Sequence, residues 1–154
     1  MVLHSMDRDP ENLQLVELAV YQLPDDEFTP QNACLYMEQI FGMSELEVEH
    51  IYFMCVDDQN RILSVYLNGI GNEIHCENET APLAIYLLLS KAAGFAMFHN
   101  HPNRIWQASQ DDIESNETLQ KIADAMNVKY LGSFIVGDMC YVKVGDPSIE
   151  PLPI

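Results

Sequence analysis

Along the chain, stretches whose apolar residues recur at every second position alternate with stretches of three-to-four spacing. Leu13 to Tyr21 (LQLVELAVY) alternates over part of its length and fits either a strand or a helix. Thr29-Pro30 opens a helix, with the threonine hydroxyl as N-cap and proline at the first helical position, where no N–H is needed. That helix is expected to run to about Phe41 and to stop before Gly42. Glu49 to Val56 and Arg61 to Leu67 read as strands joined through Asp57-Asp58-Gln59-Asn60, so a hairpin is expected. Thr80 to Ala93 is expected as a second helix, capped by its threonine and followed by Gly94, with Phe95 to Phe98 as a short strand. Ser109 to Asn127 has a helical period that sets Ile113, Leu119, Ile122 and Met126 on one face. Lys129 to Val136 and Met139 to Val144 flank Gly137-Asp138 as a closing hairpin. Strands and helices interspersed in this way imply an α/β fold, a mixed sheet covered by helices.

The two ends lack such patterns. Residues 1–11 are polar and residues 146–154 are Pro-rich, so both are expected as flexible ends around one domain over 12–145. The chain has 154 residues, the size of one ordinary domain, and 48% of them are hydrophobic, too many for a disordered chain. The longest apolar runs, such as Leu83 to Leu89, fall far short of the roughly 18 residues that span a bilayer. No basic-then-apolar signal opens the sequence, and a cytoplasmic protein is expected. Cys34, Cys55, Cys76 and Cys140 are widely spaced and form no C-x-x-C, which argues for reduced thiols and against a thiolate zinc site.

Charge narrows the partners. The chain carries 24 Asp and Glu against 7 Lys and Arg, a formal net charge of −17. Phosphate binding needs a basic face that releases counterions, so nucleic acid and anionic membrane surfaces are both disfavoured.

The candidate chemistry lies in His99-Asn100-His101-Pro102, followed by Ser109 and Asp112. Two histidines two residues apart at a strand end leave the same face of the sheet, where both imidazoles can converge on one ion. Pro102 ends the strand, and Asp112 returns a carboxylate in the first turn of the next helix. Two histidines and one carboxylate leave a fourth tetrahedral position open, the pattern of catalytic zinc. Each piece also has a plain structural use: H-x-H is common in loops, and Ser109-x-x-Asp112 is a serviceable helix start.

The joint pattern resembles the JAMM (MPN-plus) metallopeptidase motif, a distant Glu with H-x-H-x7-S-x2-D. More narrowly, HNHP followed by S-x-x-D-I is similar to the JAB domain of RadC-like bacterial proteins. EHIYFMCVDDQNRILSVYLNGIG, LSKAAGFAMFHNHP and YLGSFIVGD are similar to further segments of that family in the same order, covering most of Leu13 to Val144. The resemblance implies a three-layer α/β/α fold with a mixed, curved sheet, the cytidine-deaminase-like layering of JAB/MPN domains. It also implies a Zn2+ held by His99, His101 and Asp112, with Glu49 as general base and Ser109 donating to the oxyanion. The implied activity is hydrolysis of a peptide or isopeptide bond. Glu47 is the nearest competitor of Glu49 for the base.

The chain departs from the family where a substrate groove would be shaped. Asn103-Arg104 stands in place of Ser-Gly, Ala108 in place of proline, and Gly132-Ser133 in place of an Asp-His pair. Trp106, in the same loop, is a candidate substrate contact or a packed loop anchor. Two other functions compete with the hydrolase: a non-catalytic interaction module that keeps the fold, and a DNA-repair accessory, which the charge opposes. A protein or peptide with a basic segment is the expected partner.

Overall fold

The structure is a computed structural model that describes the chain apart from residues 8, 10, 12, 72–79, 148 and 149 and the side chain of Thr80. The elements run β1 (Val2–Asp7), β2 (Gln14–Val20), α1 (Pro30–Phe41), a 3-10 turn (Met43–Glu45), β3 (His50–Val56), β4 (Ile62–Ile70), α2 (Thr80–Leu89), β5 (Gly94–His99), α3 (Gln110–Met126), β6 (Lys129–Gly137), β7 (Cys140–Lys143) and β8 (Leu152–Pro153). All eight strands form one open mixed sheet in the order β2-β1-β4-β3-β5-β6-β7-β8. The β1–β4 and β5–β6 pairs are parallel and the others antiparallel. A parallel neighbour needs a crossover, and α3 supplies it between β5 and β6.

Alternation along the central strands divides the core in two. Tyr52, Met54 and Val56 of β3 join Phe98 and Phe134 under α1, which contributes Ala33, Cys34 and Met37. The intervening Ile51, Phe53 and Cys55 join Phe95 and Met97 under α2 and α3, which contribute Leu83, Tyr86, Leu87, Leu119 and Ala123. β3 is covered on both faces, so it reads as an unbroken apolar run. The result is the three-layer α/β/α arrangement that the resemblance implies.

The first helix matches its sequence signals closely. Thr29 caps it by accepting from the Asn32 N–H, Pro30 is its first residue, and Gly42 closes it at φ 61°, a left-handed value that favours glycine. The second helix is shorter than expected. Lys91 adopts a left-handed φ of 54° after Leu89, and the Lys91 and Ala92 N–H groups bond back to Leu88 and Leu87 carbonyls, so the helix stops early and Gly94 starts β5. The expected cap, the Thr80 side chain, lies outside the described residues, as does Cys76.

Two expectations about the ends are corrected. Val2–Asp7 are strand, paired antiparallel with β2 and parallel with β4. Leu3 packs on one core and Met6 on the other, apolar anchors that the polar residues around them mask. Leu152–Pro153 form an edge strand on β7, a position where proline needs no ladder N–H. On α3 the buried side is Asp112, Ser115, Leu119 and Ala123, and Ile113 is turned out at 38% exposure. Turning Asp112 inward necessarily turns its neighbour about 100° away. Among the described residues no helix is long and apolar enough to cross a membrane.

Candidate metal centre

β5 ends at His99, which belongs to the α2/α3 face of the sheet through the alternation with Phe95 and Met97. Its neighbours in the ladder are Ile51 of β3 and Ile135 of β6, so the imidazole is fully buried. Two residues on, in the loop that Pro102 opens, His101 turns its ring back, and the two Nε2 atoms stand 3.1 Å apart. α3 then delivers Asp112, whose Oδ1 lies 3.0 Å from His99 Nε2 and whose Oδ2 lies 3.4 Å from His101 Nε2. Among the described residues these three form the group able to hold a metal ion.

The spacing is a direct test of fit. Nitrogen and oxygen ligands at about 2.0–2.2 Å from zinc in a tetrahedron stand roughly 3.3–3.6 Å from one another. His99 Nε2 stands within a few tenths of an ångström of such an edge from both His101 Nε2 and Asp112 Oδ1, while the His101 contact runs to the other carboxylate oxygen, Oδ2. A buried histidine, a half-buried histidine and a buried carboxylate are the donors.

Two of the three ligands are aimed by a second contact, whereas the buried Nδ1 of His99 meets no hydrogen-bond partner among the described residues. The Ile105 carbonyl lies 2.6 Å from Nδ1 of His101, which fixes a proton on Nδ1 and leaves the Nε2 lone pair for a metal. Asp112 sits at the third position of α3 in a reciprocal capping box. Its N–H donates to Ser109 Oγ at 3.1 Å, while its Oδ2 accepts from the Ser109 N–H and from Ser109 Oγ, both at 2.7 Å. The helix-start reading and the ligand reading of Ser109-x-x-Asp112 therefore hold together: Oδ2 closes the helix and Oδ1 faces His99.

Electrostatics follow this geometry. Burial opposes the Asp112 charge, but hydrogen bonds from His101, His99 and Ser109 outweigh it and hold the carboxyl well below the usual range. Burial likewise opposes a protonated His101, yet Asp112, the Ile105 carbonyl and the Glu49 charge together raise it above its ordinary value.

Beside the triad lies a cleft of about 730 Å³, whose lining includes His101, Ser109, Asp112, Glu47, Glu49 and Asp111. Glu49 and its competitor Glu47 thus both reach the same space, and Glu49 is the one whose charge acts on His101. Trp106 is placed elsewhere. It lines a separate cavity of about 20 Å³ with Met43, Ile135 and Asp138, and packs over Gly137, where an added Cβ would meet its Cη2 at 3.8 Å. Trp106 is not among the residues lining the cleft, although its neighbours Ile105 and Gln107 are.

With the fold and this geometry in place, comparison with known proteins decides the family. A model of the RadC-like JAB domain matches residues 28–146. The chain belongs to the RadC-like JAB domain family. Its relatives include UPF0758 proteins of Photobacterium profundum, 26% identical over 71% of this chain and 48% of theirs, and of Actinobacillus succinogenes, 28% identical over 78% and 54%. A third, from Desulforudis audaxviator, is 28% identical over 71% of this chain and 47% of its own. The chain spans about half the length of these relatives.

Two groups in contact with the candidate site carry no signal in the sequence pattern. One is the Ile105 carbonyl, a backbone group that any residue type supplies. The other is Asn100, between the two histidines and only 2% exposed. Its Oδ1 accepts from the His50 N–H at 2.8 Å, and its Nδ2 lies 3.2 Å from the Val48 carbonyl and 3.4 Å from that of Leu46.

Proposed function

We propose that this RadC-like JAB domain is a zinc-dependent hydrolase of peptide or isopeptide bonds. The observation that carries the reading is the convergence of His99, His101 and the Asp112 carboxylate beside a cleft that His101, Asp112 and Glu49 line. Zinc there supplies Lewis acidity, which brings the pKa of water near 7 and polarises a carbonyl. His99 and His101 would present Nε2 to it, and the Ile105 carbonyl holds the His101 proton on the far nitrogen. Glu49 takes the proton of the attacking water and passes it to the leaving amine, general acid–base work for a carboxylate. Ser109 turns its Oγ–H from Asp112 to the oxyanion, while its N–H continues to hold Asp112 Oδ2.

The cleft also bears on substrate class. Its lining carries Glu47, Glu49, Asp111 and Asp112 and no lysine or arginine among the described residues, so a divalent cation leaves it negative. A cleft of one sign with low-dielectric walls concentrates the opposite charge. Its volume of about 730 Å³ suits a short extended segment. A peptide with basic residues near the scissile bond fits this field, and a polyphosphate backbone does not.

Glu49→Gln tests the reading. Cleavage across a panel of basic peptides and isopeptides is expected to fall by at least about 100-fold, with zinc content unchanged. Wild-type rates in that variant would move the base to another residue, Glu47 first. A zinc-loaded wild-type domain that cleaves nothing in the panel would favour a non-catalytic interaction module.

A further inference from the structure

The β3–β5 ladder ends at the pair Ile51↔His99. Continued by one and two residues, the same register would set His50 opposite Asn100 and Glu49 opposite His101. The backbone ladder does not continue, because the chain after His99 leaves the sheet to bring the His101 ring back to His99. The Asn100 side chain takes its place. A carboxamide has the donors and the acceptor of a peptide unit, and this one bonds the His50 N–H and the Val48 and Leu46 carbonyls. Those three groups bracket Glu47 and Glu49. On the other side, the Glu49 carbonyl accepts from the Gly71 N–H at 2.6 Å at the end of β4.

We propose that Asn100 is a positioning residue that holds Glu49 against the metal histidines, by extending the β3–β5 pairing through its side chain. The inference rests on the reading of Glu49 as general base. It gives the middle residue of His99-Asn100-His101 a task of its own. The two histidines would hold the metal, and the residue between them bonds the segment that carries Glu49. The three hydrogen bonds also fix which way the amide points, since the reverse orientation would set donor against the His50 N–H and acceptor against two carbonyls. A buried aspartate at this position keeps the shape and the acceptor but turns oxygen toward both carbonyls. Alanine leaves all three backbone groups without this partner.

The first test needs neither metal nor substrate. Amide hydrogen exchange in the metal-free protein is expected to be at least about tenfold faster at His50 in Asn100→Ala. Unchanged exchange there would overturn the tether. Where the alanine variant fails to fold, Asn100→Leu, of similar size and without an acceptor, replaces it, with faster exchange again expected at His50 and unchanged exchange overturning the proposal.

The second test uses the zinc-loaded protein. Asn100→Asp is expected to lower kcat by about tenfold or more with KM and zinc content within twofold of wild type. Added to Glu49→Gln it is expected to cost nothing further, because it acts through Glu49. Full multiplication of the two losses, or loss of zinc in Asn100→Asp, would contradict the assignment. If Glu49→Gln cleaves like wild type, the base assignment fails separately, while the exchange measurement still tests the tether. A wild-type domain without hydrolytic activity would likewise leave that measurement valid.

Discussion

The Ile105 carbonyl and the Nδ1 of His101 lie 2.6 Å apart, and this contact decides which nitrogen of His101 is free for a metal. The carbonyl is held by the loop that follows Pro102, and Trp106, the next residue, pins that loop over Gly137. Trp106→Ala is therefore expected to weaken metal binding by about 10–100-fold, the usual cost of losing an outer contact to a ligand. Competition against a chelator of known affinity measures it. Arg104→Ala should change little, because the Arg104–Asp138 pair, 3.5 Å apart, is exposed on both sides.

One substitution separates the cap that Ser109 provides from its proposed oxyanion role. Ser109→Ala removes the side-chain half of the capping box and should cost about 1 kcal/mol of stability, read by urea unfolding of the metal-free protein. It leaves the Ser109 N–H on Asp112 Oδ2, so metal content should persist. The expected loss in kcat is about 100- to 1,000-fold. A variant that loses stability but no rate would leave Ser109 a cap alone.

The pH dependence of the metal-free protein follows from the same cluster. The Asp112 carboxyl is held below its ordinary value of 3.8 when folded, so its contribution to stability is present above about pH 4 and is lost as pH falls further. The raised His101 works the other way: its contribution is full below its ordinary 6.5 and is lost as pH rises through the higher folded value. Urea midpoints should therefore fall more steeply below pH 4 in wild type than in Asp112→Asn. Equal acid limbs would contradict the inferred bonding of Asp112.

Thiol chemistry separates the cysteines by burial. Burial pushes the Cys34 thiol far up and that of Cys55 to about 11, and both are inside the core. Cys140 is partly exposed at the β6–β7 hairpin. Iodoacetamide near neutral pH should modify Cys140 well before Cys34 or Cys55 in the native protein, as read by peptide mass spectrometry. Early modification of Cys34 would show that α1 opens from the sheet.

Much of this was legible in the residues because local signals and the tertiary fold agree. Thr29, Pro30 and Gly42 bound α1, and Asp57 to Asn60 turn the β3–β4 hairpin. The spacing of His99, His101 and Asp112 foretold the triad for a physical reason: strand alternation and a helix N-terminus each fix one direction. What escaped depends on contacts between distant segments. Val2–Asp7 become a strand only because β4 and β2 lie on either side. Ile113 fits the apolar face of α3 by period, but the demand on Asp112 rotates that face away. Trp106 is the sort of aromatic expected at a substrate, and its approach to Gly137 from a distant strand has no local sequence signal. Asn100 bonds residues 50 and more positions away, which no local pattern encodes.

On the proposed function His99, His101 and Asp112 hold one zinc ion, and elemental analysis of protein purified without added metal reads this out. About one zinc per chain is expected in wild type and Glu49→Gln, and close to none in His99→Ala or Asp112→Ala. A folded wild-type protein that contains no zinc and takes up none when it is supplied would contradict the account.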